Sequence, residues 1–474
     1  MKQSGILLHI SSLCTDYGIG DLGNSAYRFA DYLCNEGHKF WQILPLNYPG
    51  FGNSPYNPIS AYASNPYLIS PELLYMEGLL SKSELYSLPR SSIVDYQSVY
   101  TEKNLIFAKA MPRYLEKHNI LEYIDNEAIY LKPYLTYIWL TDIYKNVSWQ
   151  KWAPEHRIYS EELYNACKNE IKVQNAAALQ MVFNKQMQDL KNYLKQKGIL
   201  LFGDLPLYLS YESAEVWANQ HLFDLDENGL RKSVAGVPPD AFAEGGQLWG
   251  NPIYLWDKLQ ENQFDLFMQR IRLSLKYFDL LRLDHFIGYV NYWQVQCPNR
   301  TLPENAIHGV WKKALPEPFF ATIKQEFDLK HFVAEDLGIL NHDVCAIRDS
   351  LALPGMIVLQ FCFEESVPNV QNYPADRIIY TGTHDNNTTR GWWENLPQES
   401  ESRENMIEFC RRFFPDREVT NSNIARLLID IANLSACSRM IYPMQDILGL
   451  GAKSRMNIPG TALGNWQWRM DSIP

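Results

Sequence analysis

The residues best suited to chemistry lie inside one apolar run, Leu280-Leu281-Arg282-Leu283-Asp284-His285-Phe286. The run is predicted to be a buried strand, on which Arg282 and Asp284, two residues apart, point to the same side. A guanidinium next to a buried carboxylate favours the ionised carboxylate. A structural ion pair at the end of a sheet would give the same pattern, so other parts of the chain must decide.

Acidic residues also end several other predicted strands that lie far apart in the sequence. A single acidic residue after a strand has a simple explanation, since it can cap a helix. Several together predict a site lined with carboxylates. The ends concerned are Gly203-Asp204-Leu205-Pro206, Ala334-Glu335-Asp336, Thr383-His384-Asp385-Asn386 and Pro443-Met444-Gln445-Asp446.

Clustered carboxylates serve two chemistries, divalent metal binding and glycosidic bond cleavage. Metal-assisted hydrolysis needs histidine and carboxylate ligands together, and His285 and His384 keep that possibility open. Glycosyl transfer needs an ionised nucleophile, which suits Asp284, and a protonated acid. Glu335 has neighbouring carboxylates and no cation beside it in the sequence, so its pKa is expected to be raised. Asp385 is suited to holding the hydroxyls of a distorted sugar ring.

Eight predicted strands alternate with helices, which is the number that a (β/α)8 TIM barrel requires. Each strand is a continuous apolar run, as expected for parallel strands buried on both faces. The acidic strand ends would then meet on one rim of the barrel. The strands are predicted at 5–10, 40–46, 198–208, 279–286, 331–337, 356–361, 378–384 and 439–446. The helices are predicted at 24–36, 105–116, 134–144, 176–197, 263–276, 316–327, 342–351, 403–414 and 424–436.

The length of 474 residues exceeds that of a usual single domain, but one barrel with insertions accommodates it. We therefore predict a single catalytic barrel over 1–474 with a mainly helical insertion at 72–170. A loop and hairpin excursion at 209–262 is predicted to form part of the substrate cleft. The aromatic loop at 51–67 is expected to be functional, as loops of that length in compact domains usually are.

The acidic stretch at 224–229 resembles the opening of a calcium-binding EF-hand loop. Position twelve of such a loop would be Ala235, where a glutamate is required, and no helix pair flanks the stretch. Asp-Glu-Asn-Gly instead predicts the turn of a β-hairpin.

Composition narrows the partners and the compartment. The net charge of −11 argues against non-specific binding to nucleic acid or to an anionic membrane. No apolar run reaches the roughly 18 residues that cross a bilayer, and no signal peptide is expected. The eight cysteines show no C-x-x-C spacing, which favours free thiols in a reducing cytoplasm.

Four motifs in order resemble the conserved regions of the α-amylase clan. They are Gly203-Asp204-Leu205-Pro206-Leu207-Tyr208, Arg282-Leu283-Asp284-His285-Phe286, Ala334-Glu335-Asp336-Leu337-Gly338 and Gly382-Thr383-His384-Asp385-Asn386. Their form, and further stretches along essentially the whole chain, resemble glycoside hydrolase family 77, the 4-α-glucanotransferases or amylomaltases. These stretches include Gly5-Ile6-Leu7-Leu8-His9, Tyr17-Gly18-Ile19-Gly20-Asp21, Ser54-Pro55-Tyr56, Ala235-Gly236-Val237-Pro238-Pro239-Asp240, Gly246-Gln247-Leu248-Trp249-Gly250-Asn251-Pro252 and Asn465-Trp466-Gln467-Trp468-Arg469.

The resemblance implies a barrel without a C-terminal β-domain and a retaining double displacement that needs no cofactor or metal. A 1,4-α-glucan segment would pass from a donor maltodextrin to the 4-hydroxyl of an acceptor glucose or maltodextrin. By resemblance Asp284 is the nucleophile, Glu335 the acid/base and Asp385 the transition-state stabiliser. The residues implied in glucan binding are Tyr56, Asp204, Gln247, Trp249, Asn251, Arg282, His285, His384 and Asn465.

The sequence departs from the family pattern at a few positions, none of them catalytic. Ile287 stands where the family often has arginine, Asn387 where it has aspartate, and Leu209-Ser210-Tyr211-Glu212 replaces Val-Ala-Tyr-Asp. Composition does not separate transfer from hydrolysis, so an α-glucan hydrolase of the same clan is an alternative. An inactive glucan-binding protein is a second alternative, although all three carboxylates are present.

Overall fold

Parallel strands from both ends of the chain form the central sheet of the computed structural model, which describes residues 2–239, 244–338 and 340–474. The strands in chain order are β1 (Gln3–Leu7), β2 (Phe40–Gln42), β3 (Leu200–Leu205), β4 (Ser233–Val237), β5 (Gln247–Pro252), β6 (Leu280–Leu283), β7 (Asn291–Gln296), β8 (Val310–Lys313), β9 (Phe332–Ala334), β10 (Met356–Val358), β11 (Ile378–Tyr380) and β12 (Arg439–Pro443).

Eight of these strands pair in the order β10-β11-β12-β1-β2-β3-β6-β9, and every pair is parallel. The two outer strands, β9 and β10, come together through a backbone hydrogen bond of 2.8 Å from Ala334 N–H to the Pro354 carbonyl. The sheet is thus nearly closed, and the predicted (β/α)8 barrel with its eight strands is confirmed.

The barrel strands are shorter than predicted, mainly at their carboxyl ends. Asp284 and Glu335 directly follow the last ladder residues of β6 and β9, and Asp385 lies five residues beyond the end of β11, at the rim where barrel strands splay apart. The carboxyl-terminal ends of the strands predicted at 356–361 and 439–446 are wrong, because Leu359–Cys362 and Met444–Ile447 form short helices.

The nine predicted helices are present, with two of them longer at their amino ends. The second of the nine begins at Tyr96, where Asp95 accepts hydrogen bonds from two backbone N–H groups of the first turn. The α-helices are α1 (Asn24–Asn35), α2 (Pro71–Met76), α3 (Tyr96–Leu115), α4 (Ile120–Asn126), α5 (Lys132–Ile143), α6 (Glu161–Cys167), α7 (Ile171–Gln196), α8 (Ala214–Ala218), α9 (Trp256–Glu261), α10 (Asp265–Tyr277), α11 (Pro316–Glu326), α12 (His342–Ser350), α13 (Leu359–Cys362), α14 (Thr389–Asn395), α15 (Glu401–Phe413), α16 (Ile424–Leu434) and α17 (Met444–Ile447).

Two regions lie outside the regular alternation of strand and helix. Helices α2 to α6 fall between β2 and β3. An antiparallel sheet in the order β5-β4-β7-β8 takes two strands from the 209–262 stretch and two from beyond β6. The division into a single barrel, an insertion at 72–170 and an excursion at 209–262 remains a prediction.

The acidic stretch at 224–229 forms the predicted hairpin turn. Leu225 and Arg231 make an antiparallel bridge, and Asp226 N–H donates to the Leu230 carbonyl at 2.9 Å. Gly229 has φ +77°, a left-handed conformation that favours glycine.

The barrel strands pack closely against the chain around them. A Cβ on Gly203 in β3 would lie 2.1 Å from the ring of Phe278, so only glycine allows this approach. A separate small core of Val234, Val295, Cys297 and Ala306 lies on one face of the antiparallel sheet.

Candidate active site

Asp204, Arg282 and Asp284 meet at the carboxyl ends of the neighbouring strands β3 and β6. Arg282 donates from Nε to Asp204 Oδ2 at 2.9 Å and from Nη2 to Asp284 Oδ1 at 2.7 Å. Tyr56 OH donates to the same Asp204 oxygen at 2.7 Å. The side chains of Asp204 and Arg282 are 0% and 5% exposed, whereas that of Asp284 is 24% exposed. Asp284 is therefore the carboxylate of this group that a ligand can reach.

The Asp284 carboxyl has a raised pKa in spite of its arginine partner. Burial raises this pKa to about 7, Arg282 opposes the rise, and the negative charges of Asp204 and Asp385 add to it. The expectation that Arg282 simply holds Asp284 ionised is therefore incomplete, because burial outweighs the effect of the guanidinium on this pKa.

Glu335 follows β9 and is tied to the main chain beyond β6. Its Oε2 accepts the N–H of His285 at 2.8 Å, and its carbonyl accepts the N–H of Phe286 at 3.0 Å. Burial raises the pKa of Glu335 to about 8, Arg282 lowers it, and Asp284 raises it. A raised pKa agrees with the sequence-based expectation, although Arg282, which is distant in the sequence, opposes the rise.

His285 has a left-handed backbone conformation at φ +48°, which residues other than glycine rarely adopt. This conformation directs its N–H to Glu335 and its ring to Trp249, whose centroid is 4.7 Å away at an interplanar angle of 78°. Burial lowers the pKa of His285 to about 4, so the ring is neutral near pH 7. The strained backbone of His285 thus lies where its N–H links the end of β6 to Glu335 after β9.

Asp385 lies after β11, and its side chain is 47% exposed. Asn457 Nδ2 donates to its Oδ1 at 2.6 Å, and His384 Nε2 lies 3.4 Å from its Oδ2. Arg455 Nη2 donates to its main-chain carbonyl at 2.6 Å. Asp385 is thus held from two directions on the same rim as Asp284.

An aromatic wall stands next to Asp385. The ring of Tyr56 stacks on that of His384, with centroids 5.1 Å apart and an interplanar angle of 12°. The ring of Trp466 lies 5.7 Å from Tyr56 and 5.9 Å from His384. Burial lowers the pKa of His384, which favours its neutral form. Flat rings of this kind suit the apolar faces of sugars.

Two acidic strand ends do not join the site. The side chain of Asp336 is 1% exposed and is bound by Arg348 and Arg377, and its Oδ1 accepts the N–H of Met356 at 2.7 Å. Asp446 is buried and accepts hydrogen bonds from two threonine hydroxyls and a backbone N–H. The acidic rim is therefore narrower than the sequence predicts.

The glucan contacts predicted on β5 lie across from His285. Gln247 and Trp249 are two residues apart, so their side chains lie on the same face of the strand. Trp249 Nε1 donates to Gln247 Oε1 at 3.2 Å. Asn251 Nδ2 donates to the Leu209 carbonyl at 2.8 Å. Asp240, the last residue of the family motif at 235–240, lies outside the described residues.

Asn465, another predicted glucan contact, bonds within its own loop. Its Oδ1 accepts the N–H of Ile458 at 3.0 Å, and its Nδ2 donates to Thr461 at both the carbonyl and the hydroxyl. The residue is 5% exposed. Its contact with glucan stays a prediction.

Sequence reasoning missed Arg455 and Asn457, which bind Asp385. They are not next to any acidic strand end, and Asn457 lies 72 residues from its partner. Their position in Arg455-Met456-Asn457, shortly before the Asn465 motif, was the available signal. His9, which was noted only as part of a motif, lies buried after β1 and lines a cavity together with His384.

The histidines that kept metal binding open are held by other groups. His285 packs against Trp249, and His384 stacks on Tyr56. Within the described ranges, no three His, Cys, Asp or Glu side chains come together as metal ligands would.

A nearly closed (β/α)8 barrel with three carboxylates and an aromatic wall on its carboxyl rim defines a class, the barrel enzymes that act on glycosidic bonds. The family model described as 4-alpha-glucanotransferase, of glycoside hydrolase family 77, matches residues 8–473. The chain belongs to this family of enzymes, as its motifs predicted.

Relatives of this family match the chain over almost its full length. A 4-alpha-glucanotransferase of Aquifex aeolicus is 38% identical over 99% of this chain and 96% of its own. The chloroplastic/amyloplastic 4-alpha-glucanotransferase of Solanum tuberosum is 38% identical over 99% of this chain and 82% of its own. The solved structure of an amylomaltase from Streptococcus agalactiae in complex with acarbose is similar with a TM-score of 0.91 and 35% identity, covering 99% and 95% of the two chains.

Proposed function

We propose that this chain is a 4-α-glucanotransferase that moves a 1,4-α-glucan segment from a donor maltodextrin to the 4-hydroxyl of an acceptor glucose or maltodextrin. The observation that carries the proposal is the pairing of two carboxyls in different settings. Asp284 is bound directly by Arg282, whereas the hydrogen bond to the Glu335 carboxyl among the described residues comes from the backbone N–H of His285. Unequal carboxyls of this kind suit a nucleophile and an acid.

In the first step the Asp284 carboxylate attacks the anomeric carbon of the donor. The glycosidic C–O bond breaks, and the Glu335 carboxyl gives its proton to the leaving oxygen. A covalent glycosyl-enzyme and a shortened glucan result. Arg282, which is anchored by Asp204, supports the ionised form of Asp284 before the attack.

In the second step the acceptor 4-hydroxyl gives its proton to the Glu335 carboxylate and attacks the same carbon. The bond to Asp284 breaks, and the configuration is retained because the carbon has been inverted twice. Asp385 stabilises the transition state by accepting hydrogen bonds from ring hydroxyls. Water would give hydrolysis at this step, so transfer depends on an acceptor that is bound before water arrives.

Sugar-binding roles follow from the side chains around these carboxylates. We assign Tyr56 and His384 to contacts with the face of the sugar whose glycosidic bond is cleaved. Arg282, Asp204 and His285 are assigned to polar contacts around the same sugar. Trp249 is exposed beside His285 and suits an acceptor sugar. Gln247, Asn251 and Asn465 complete the predicted set, and acarbose is expected to bind in the same cleft.

The organisation and location of the chain are proposed on the same basis. The 209–262 stretch supplies Trp249 and is assigned to the cleft, and 72–170 is assigned as an insertion. None of the described helices is both long and apolar enough to cross a bilayer. A cytoplasmic location is proposed because all eight cysteines are free thiols.

The product pattern from pure maltotriose tests the proposal. Disproportionation is expected to yield glucose and a ladder of longer maltodextrins with constant total reducing ends. Asp284→Asn is expected to lower transfer by at least about 1,000-fold, because the nucleophile is lost. The exposed Asp343→Asn serves as a matched control and should keep full activity.

Rising reducing ends with no product longer than maltotriose would show that the enzyme is a hydrolase. Substantial transfer by Asp284→Asn, with a wild-type thermal melt, would contradict the assignment of the nucleophile.

A further inference from the structure

The carboxylate of Asp385 has one close side-chain hydrogen-bond donor among the described residues. Asn457 Nδ2 lies 2.6 Å from its Oδ1, whereas His384 Nε2 is 3.4 Å from its Oδ2. Because the Asp385 side chain is 47% exposed, it would otherwise be free to rotate toward solvent. The amide of Asn457 therefore selects one orientation of this carboxylate.

Asn457 is itself held by a neighbour that also holds Asp385. Arg455 Nε donates to the Asn457 carbonyl at 2.6 Å, and its Nη2 donates to the Asp385 carbonyl at 2.6 Å. One guanidinium thus fixes the main chain on both sides of the Asn457–Asp385 hydrogen bond. Two planar donor edges of arginine are well suited to this kind of bridge.

The same stretch begins a loop that reaches the aromatic wall. Trp466 N–H donates to the Met456 carbonyl at 2.8 Å. This hydrogen bond closes the chain between the two residues into a loop, the 456–466 loop. Trp466 has φ +62°, and its ring lies beside Tyr56 and His384. At the tip of the loop Leu463 is 71% exposed, so the base is anchored and the tip faces solvent.

We propose that Asn457 is a positioning residue that sets the Asp385 carboxylate for catalysis and links it to the 456–466 loop. The inference rests on the proposed function, since it takes Asp385 as the transition-state stabiliser. Asn457 is neutral, so it orients the carboxylate without cancelling the negative charge that the transition state needs.

Isosteric and truncated variants separate this role from loop structure. A hydrogen bond to a charged group typically contributes one to two orders of magnitude, so Asn457→Ala should lower kcat on maltotriose roughly 10-fold to 100-fold. KM should change less than about 3-fold, because the effect lies in the transition state. Asn457→Asp keeps the shape but replaces the donor with a repelling oxygen, and its kcat should fall at least as far.

Thr461→Ala is the matched control for the loop. Thr461 Oγ1 donates to the Ile458 carbonyl at 2.7 Å and accepts from Asn465 Nδ2 at 2.9 Å, without touching Asp385. Its loss should loosen the loop and affect KM more than kcat. Thermal melts of all variants show whether each folds.

Asp385→Asn in the same assay distinguishes the two proposals. If Asp385→Asn is inactive while folded Asn457→Ala and Asn457→Asp have wild-type kcat, the positioning role is overturned and the proposed function stands. If the Asn457 variants change only KM, as Thr461→Ala does, Asn457 acts through the loop alone and the inference is likewise overturned. Full activity of Asp385→Asn would overturn the role of Asp385 itself.

Discussion

A single arginine balances the charges on which the chemistry depends. Arg282 is shared between the buried Asp204 and the partly exposed Asp284, and it also lowers the pKa of Glu335. Burial outweighs this cation at both carboxyls, since the pKa of Asp284 rises to about 7 and that of Glu335 to about 8. The direct ion pair of Asp284 with Arg282, which Glu335 does not share among the described residues, suits a nucleophile and an acid.

Glu335→Gln should change how stability depends on pH. The pKa of Glu335 in the folded protein, about 8, lies above the ordinary value of 4.5. The folded state therefore keeps a proton that the unfolded state loses, and stability falls as pH rises between these values. Glutamine has no such proton and can still accept the His285 N–H.

Thermal melts between pH 5 and 9 give the measurement. The melting temperature of Glu335→Gln minus that of the wild type should increase from pH 5 to pH 8 and then level off. Glu399→Gln, at an exposed turn, makes the same chemical change outside the site and should give no such trend. A difference that is flat across pH for Glu335→Gln would contradict the raised pKa.

At the scale of elements, a backbone hydrogen bond and a side chain together join the barrel at β9 and β10. The backbone ladder between these strands is missing among the described residues, and Asp336 bridges the gap by accepting the Met356 N–H at the start of β10. Arg348 and Arg377 bind the same carboxylate. An acidic strand end that the sequence placed on the carboxylate-lined rim thus helps to close the sheet.

Asp336→Ala should destabilise the fold much more than a surface change. Removing the buried carboxylate takes the ion-pair partner from Arg377 and leaves Arg348 with only the exposed Asp349 among the described residues, so the free energy of unfolding should fall by about 3–5 kcal/mol. Asp349→Ala removes the 65% exposed carboxylate that also pairs with Arg348, and it should cost less than about 1 kcal/mol. Urea denaturation measures the free energy of unfolding of both variants. Equal losses would argue against a role of Asp336 in joining β9 to β10.

At the scale of the whole molecule, the antiparallel sheet meets the barrel rim, and the proposed cleft would lie between them. Trp249 on β5 reaches His285, while Trp311 on β8 packs against Trp293 on the opposite face of the same sheet. Leu248 pairs with Gly236, Gly236 with Trp293, and Trp293 with Trp311, so the side chains of these paired residues point to one face of the sheet. Trp249, the next residue after Leu248, points to the other face. The exposed Trp249 and Trp311 therefore lie on opposite faces of this sheet.

Acarbose should stabilise the protein through the Trp249 face. A ligand that binds only the folded state raises the melting temperature by mass action, by a few degrees at saturating concentration. Trp249→Ala should reduce this shift, whereas Trp311→Ala should leave it unchanged. Thermal melts with and without acarbose test this, and an equal reduction by both variants would refute the assignment.

The sequence by itself determined the barrel and the residues of its acidic rim. Apolar runs identify buried strands because burial on both faces demands them, and Asp284, Glu335 and Asp385 follow those runs directly in the chain. The resemblance of the motifs then pointed to the family. These features are local, so the sequence contains them.

Only the tertiary structure decided where strands end, which acids are structural and how charges are shared. The strands stop where the barrel splays, which no residue pattern marks. Asp336 and Glu335 are adjacent in sequence, yet their different partners come from distant elements. Asn457 reaches Asp385 across 72 residues, and burial around Arg282 sets the pKa values of the carboxyls. Such contacts and burial depend on long-range packing, so they require the folded chain.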